Sequence, residues 1–375
     1  LAHMLNRSIA TSSPSRAFRR INSIPFAPPT ASVAHLTLAK ITTTPNPALD
    51  PASDIGLDAA SVLKPTPTTA HIHDPTERSH AIAEWTRLIR CHGSGAPDGT
   101  GLRTTHFLDS PACLIPISLI LQAASEANIS EAHRRFLATK SLSGQLKLLK
   151  ALGRYPATVA EIQGTRPLSR HHIFRRFIAR YVARPATRHR RSYLEALQQW
   201  GNSPAGPDAI YTAAQLIADL FPVLVHHVLD VENAHSAIAR VAVHSALTNL
   251  ARQPDANHLD RAALRYFLIF YSIPGPTIVQ ADADFRLTYQ TDALDQGDGM
   301  ANYLFNVTYS AIIHAFVTSY LPSTSRLPPL CPPLLCHDDT TILLPPFTAA
   351  GPPHLFAPQF LRDLDSHLRE AANLS

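Results

Sequence analysis

Twenty histidines stand out in this sequence, and most have another close by. His71, His73 and His80 form one group, His171 and His172 are adjacent, and His226, His227, His235 and His244 form another. Neutral imidazole is a versatile transition-metal ligand, and side chains from separate helices can converge inside a helical fold. The pattern points to a non-haem metal site. His226 and Asp230 stand at i,i+4, a spacing that on a helix lets the carboxylate orient the imidazole. Taken singly, each histidine is equally at home in the core or on the surface, satisfied by a backbone carbonyl.

Two further groups have chemical potential. The stretch Arg166 to Arg191 holds nine arginines and three histidines without one acid, interleaved with Phe174, Phe177 and Tyr181. Such a run can neutralise phosphates, which makes RNA or a protein assembly a candidate partner, or it can be a solvated basic face. Adjacent Asp338 and Asp339 in CHDDTT have the character of a metal–diphosphate pair. They lie inside a Pro-rich stretch and are expected to be solvated. The chain has no GxxxxGK[ST] phosphate loop, no GxGxxG fingerprint, no GxSxG elbow and no HExxH.

Helices are the elements expected to position these groups. Ile82, Trp85, Leu88 and Ile89 fall at helical spacing within Glu77 to Cys91, and GSGAPDGTG ends that helix. Ile173, Phe174, Phe177, Ile178, Tyr181 and Val182 form a clear amphipathic stripe, which Pro185 is expected to stop. Further helices are expected over Ile115 to Ala127, Glu131 to Leu152, Ser192 to Trp200, Asp208 to Val231, Ala234 to Arg252, Asp260 to Ser272 and Asn302 to Tyr320. Phe285 to Tyr289 is the one short strand candidate. The expected fold class is all-α.

Composition sets the outer limits. The chain has 375 residues, 45% hydrophobic and 16% charged, enough for one large core, and a net charge of +5. Its 32 prolines gather toward the two ends, and no acid precedes Asp50. The expected organisation is a basic, Pro-rich unstructured leader over 1–75, a helical domain over 76–320, a Pro-rich connection over 321–358 and a closing helix over 359–375 on the same domain. Within the leader, 4–23 has the Arg- and Ser-rich composition of a mitochondrial transit peptide or a basic tail. Cys91, Cys113, Cys331 and Cys336 lack CxxC spacing, so an intracellular location is expected, cytoplasmic or mitochondrial. No apolar run approaches the roughly twenty residues of a membrane span.

Three blocks resemble the fungal questin oxidase-like family. QLIADLFPVLVHHVLDVE over Gln215 to Glu232 keeps that family's separation of six between His226 and Glu232. SHAIAEW at Ser79 to Trp85 precedes a GSGAP turn and places His80 at a histidine position of the family. NYLFNVTYSAI at Asn302 to Ile312 retains Val307 and Thr308, whereas Phe221, Glu84 and Phe305 stand where the family usually has histidine. The resemblance implies an all-helical oxygenase of secondary metabolism, acting on an anthraquinone-type aromatic polyketide or degenerate in that chemistry. It implies His226, Glu232 and Asp230 as catalytic residues and His80 and His226 as ligands of a metal such as iron. It further implies Arg175, Arg176 and Trp85 against the substrate, and NADPH as electron donor. A non-catalytic, RNA-associated or structural protein of a larger assembly, mitochondrial or a viral coat, is the alternative.

Overall fold

The computed structural model describes residues 25–41, 74–92, 97–98, 100–149, 152–222, 225–231, 233–320, 333–344, 353–372 and 374. These contain thirteen helices and seven strands in two sheets, which corrects the all-α expectation. Strands β1 (Lys140–Leu146), β2 (Thr165–His171), β4 (Gly275–Ala281) and β5 (Asp284–Gln290) form one sheet in the order β2-β1-β4-β5. Strands β3 (Val225–Asp230), β6 (Leu334–Cys336) and β7 (Asp339–Leu344) form the other, in the order β3-β7-β6.

Strand periodicity was hidden by polar residues at inward positions. KSLSGQL and TRPLSRH alternate strictly between buried and half-buried or exposed positions, yet bury Lys140, Thr165, Ser169 and His171. The helix expected over Glu131 to Leu152 is α5 (Glu131–Ala138) followed by β1. Likewise Asp208 to Val231 divides into α8 (Gly206–Leu220) and β3, while 321–358 contains the β6–β7 hairpin. Phe285 to Tyr289 lies within β5.

The chain falls into two compact units. The smaller draws on the described parts of Leu1–Lys40, Leu142–Leu168 and Val279–Arg286. It holds α1 (Ala31–Leu38), capped by the Thr30 hydroxyl, so the leader expected over 1–75 is ordered at this point. Val33, Leu146 and Ile162 form its core. Gly144 is needed there, because a Cβ would stand 2.7 Å from the Thr37 hydroxyl, which bonds Thr165 at 2.8 Å. The segment 4–23 lies outside the described residues.

The larger unit contains the remaining helices around two that carry long runs of consecutive buried residues. These are α11 (His258–Tyr271), buried from Tyr266 through Tyr271, and α12 (Ala301–Tyr320), buried from Tyr303 through Ser310. A capping box of Asn257 and Asp260 starts α11. Packed against one or both of them are α4 (Leu114–Ser125), α6 (Ile173–His189) and α10 (Arg240–Arg252), while α2 (Pro75–His92) packs against α4 and α6. Pro185 lies inside α6 and does not stop it. The closing helix α13 (Pro353–Ala372) buries Phe360, Leu364, Leu368 and Ala372 at steps of four, with Phe360 5.3 Å from Phe316 of α12. Among the described residues, no helix is long and apolar enough to cross a membrane.

Candidate metal centre

Three carboxylates gather at one end of the three-stranded sheet. β3 and β7 run antiparallel, and their register places Asp230 directly opposite Asp339. Residues so placed share one face, with Cβ atoms about 5 Å apart, and two like charges in that position repel. Asp338 precedes Asp339 in the two-residue turn His337–Asp338 between β6 and β7. Burial together with Asp338 and Asp230 pushes the Asp339 carboxyl above its usual range. Asp230 and Asp339 are exposed, as is Val228 two residues before Asp230, so this face is open to solvent.

The elements holding these acids are built more tightly than the acids themselves. His337 adopts a left-handed backbone (φ 57) and is clamped by Gln199, whose side-chain oxygen accepts from its N–H at 3.0 Å and whose amide donates to its carbonyl at 3.3 Å. Its Nδ1 lies 3.1 Å from the Asn306 amide nitrogen, and burial pushes the imidazole down, against Asp338 and Asp339. Residues of α12 at helical spacing hold His235, of the short helix Ala234–Ala237, and the β6–β7 hairpin. Asn302 bonds His235 at 3.0 Å, Phe305 packs 5.2 Å from the same ring, Asn306 meets His337, and the Tyr309 hydroxyl bonds Thr340 at 2.7 Å. Gly201 packs so closely that a Cβ there would stand 2.6 Å from the His337 nitrogen. Gly201→Ala is therefore expected to shift the acid turn and cost about 1–3 kcal/mol, read by urea unfolding; an unchanged midpoint contradicts this packing.

Among the described residues, the one group of three whose ligand atoms all lie within 4.8 Å of one another is a different, buried one, His171, Asp295 and Asp298; Asp230, Asp338 and Asp339 are not drawn that close together. The buried group does not suit a metal, because cations of the chain already occupy it. The Lys140 ammonium meets Asp295, and the Arg175 guanidinium spans Asp295 (3.0 Å) and Asp298 (2.5 Å). The Tyr266 and Tyr271 hydroxyls donate to Asp298 at 2.8 and 2.7 Å, and His171 Nε2 faces Asp295 at 2.9 Å. Burial alone would raise both carboxyls, but Lys140, His171 and Arg175 hold Asp295 well below its usual range, and Arg175 with His171 lowers Asp298. Burial pushes Lys140 down to about 8 and, with Arg175 beside it, pushes His171 down as well. This knot pins the loop 292–299 that leads into α12 and thereby fixes the helix under the acid end.

Acid is expected to loosen the knot. The unfolded chain protonates His171 near its ordinary value of about 6.5 and the carboxylates near about 4, while the folded chain resists both. The unfolded state thus binds more protons, and stability falls as pH drops below about 6.5 and more steeply below about 4. Melting temperatures from pH 7.5 to 4 check this; a rise toward acid contradicts it.

Several residues singled out in the sequence lie elsewhere. Trp85 is fully buried, stacked 4.4 Å from Tyr181 with its indole N–H donated to Gln122, so it is a core residue. Arg175 belongs to the knot, and Arg176 is half-buried on α6. His80 is exposed on α2; the groove there is lined by Ser79, Ile82, Thr86, Arg87 and Arg90 and by no histidine. His226 is on a strand, where a step of four residues spans about 13 Å, so Asp230 is not its helical neighbour. Glu232 lies outside the described residues. Of the arginines in 166–191, Arg175 and Arg190 are buried in ion pairs, Arg190 with Asp260 at 2.7 Å, while Arg166, Arg170, Arg184 and Arg188 are exposed.

No family model and no curated protein matches the chain. Among solved structures it is similar to a telomerase from Candida tropicalis truncated of its C-terminal domain, at 11% identity and a TM-score of 0.38, covering 62% of this chain and 48% of that one. A Sicinivirus RNA-dependent RNA polymerase aligns at 16% identity and a TM-score of 0.37, covering 63% and 44%. A Candida albicans telomerase in complex with a fragment of telomeric RNA aligns at 12% identity and 0.43, covering 66% and 42%. The chain spans less than half the length of each, and likenesses of this size fix neither fold nor function. The fold combines helices with two sheets and is not the all-helical one that the resemblance implies. The oxygenase reading, with its aromatic substrate, is corrected accordingly.

Proposed function

We propose that this chain acts on RNA and that Asp230, Asp338 and Asp339 form a divalent-cation site for nucleotidyl transfer, the chemistry of a nucleic-acid polymerase. The observation that carries this reading is the pairing of Asp230 with Asp339 across β3 and β7, beside Asp338 in the turn. Repelling carboxylates on an open face are an arrangement that a hard divalent cation relieves, and an all-oxygen donor set suits Mg2+ or Mn2+. Bound there, such ions would polarise a phosphoryl oxygen and favour an ionised attacking hydroxyl.

The chain's own residues do the positioning. Asp230 and Asp339 present oxygens from opposite strands, and Asp338 adds a third from the turn that Gln199 and Asn306 hold. Exposure of this face leaves room for a long polyanion, and Arg184 and Arg188 give the same unit exposed positive charge. RNA binding should therefore weaken with salt, because each neutralised phosphate releases counterions. The test is extension of a primed RNA template in Mn2+ or Mg2+, with filter binding alongside. Metal-dependent incorporation is expected. Salt-sensitive binding without incorporation supports a non-catalytic RNA-associated protein, the reading the exposed arginines favour alone; binding of neither RNA nor Mn2+ contradicts both.

A further inference from the structure

We infer that β5 is a dimerisation edge, along which a second copy of this chain lays its own β5 antiparallel, about a twofold axis through Leu287. The four-stranded sheet has two edges, β2 and β5, and the sequence treats them differently. β2 is guarded: Pro167 stands within it with no N–H to offer, and the Ser169 N–H is already donated to the Gln296 carbonyl at 2.7 Å. β5 reads DFRLTYQ, seven residues without proline, glycine or lysine, and among the described residues no further strand lies beside it. Its outer row of N–H and C=O groups is a template for another strand.

The side chains say which strand that is. Phe285, Leu287 and Tyr289 follow one another at steps of two on one face, and they remain 71%, 60% and 49% exposed. A contiguous apolar row left in solvent marks an interaction surface. The strand is also held ready at both ends. Just before it, the Asp282 N–H donates to the Pro29 carbonyl at 2.6 Å and the Asp282 carboxylate accepts from the Ala31 N–H at 3.2 Å. At its far end the buried Gln290 side chain accepts from Lys140 at 2.6 Å.

The pattern is symmetric about Leu287. In an antiparallel self-pairing centred there, Leu287 meets the partner's Leu287, and on either side Phe285 meets the partner's Tyr289, an aromatic pairing that stabilises cross-strand contacts. On the opposite face Asp284 meets the partner's Gln290 and Arg286 the partner's Thr288, so no two like charges stand directly opposite. A slip of one residue would turn the two apolar rows to opposite faces, so the pattern fixes the register. The same surface serves both copies, and the contact closes as a dimer. One strand pair falls near or below the about 1,200 Å² at which stable interfaces begin, so a micromolar dimer is expected.

Sedimentation velocity of the full chain from about 1 to 100 μM should show a monomer–dimer equilibrium. Leu287→Lys sets two ammonium groups face to face on the axis and is expected to raise the dimer Kd about a hundredfold or more. Cysteine cross-linking reads the register without added charge, after Cys91→Ser and Cys113→Ser remove the two exposed thiols of the described residues. Leu287→Cys brings the Cβ atoms of the two copies to about 5 Å and should oxidise to a covalent dimer. Phe285→Cys, about 13 Å from its own counterpart across the axis, should not. A monomer throughout the concentration range overturns the inference. So does a dimer that survives Leu287→Lys, or one that cross-links as readily through Phe285→Cys as through Leu287→Cys.

Discussion

Replacing Asp338 by asparagine is expected to lower metal-dependent nucleotide incorporation by about a thousandfold or more, equivalent to roughly 4 kcal/mol of lost transition-state stabilisation. The substitution keeps the shape of the side chain and removes the charge that would hold the cation. Its effect on folding should have the opposite sign. Asp338, Asp339 and Asp230 crowd one another, and the Asp339 carboxyl is already pushed up by burial and by the other two. Taking one charge away relieves repulsion worth a few tenths to about 1 kcal/mol. Asp338→Asn should therefore be inactive yet at least as stable as the parent, and Asp230→Asn and Asp339→Asn should follow it. Thermal unfolding beside the incorporation assay checks both halves; a variant that is both inactive and markedly less stable points to acids that merely support the fold.

The opposite behaviour is expected of the buried knot. Arg175→Met removes the one guanidinium that spans Asp295 and Asp298, and it also takes the cation from 4.9 Å above the Phe270 and Tyr271 rings. Two carboxylates are then left in a dry interior with Lys140 as the one full positive charge paired to them directly and Arg240 acting on Asp295 without an ion pair. Breaking a buried pair in this way costs about 3–5 kcal/mol, a large share of the roughly 5–15 kcal/mol by which a domain is stable. Urea unfolding should show that loss, with the half-buried Arg176→Met as a control expected to lose much less. A loss below about 1 kcal/mol for Arg175→Met would mean that the knot is not what fixes the loop before α12.

Much of the helical core was legible in the sequence, because a stripe such as Ile173, Phe177, Ile178 and Val182 states its own period. The sheets were not. β1 and β2 bury lysine, serine, threonine and histidine at alternate positions, and those residues become acceptable inside only through partners distant in sequence, as Lys140 does through Asp295. The acid site was legible in its parts and misassembled. Asp338 and Asp339 were visible as a pair, but the flanking prolines concealed two short strands joined by a two-residue turn, and His337–Asp338 lacks the Asn-Gly, Asp-Gly or Gly-first residues that announce such a hairpin. Asp230 was singled out as a helical neighbour of His226, whereas its partner is Asp339 across a strand ladder. The knot left a weaker trace. An acid-free, Arg-rich stretch and the acids Asp292, Asp295 and Asp298 complement each other in charge, yet only the tertiary fold decides that Arg175 meets Asp295 and Asp298.

Anomalous scattering from crystals of the chain soaked in Mn2+ tests the central claim most directly. A peak about 2.1–2.4 Å from carboxylate oxygens of Asp230 and of Asp338 or Asp339, bringing the two strands' acids onto one ion, is the predicted result. A peak at His171, Asp295 and Asp298 instead, or none at the acid end of β3 and β7, would contradict it.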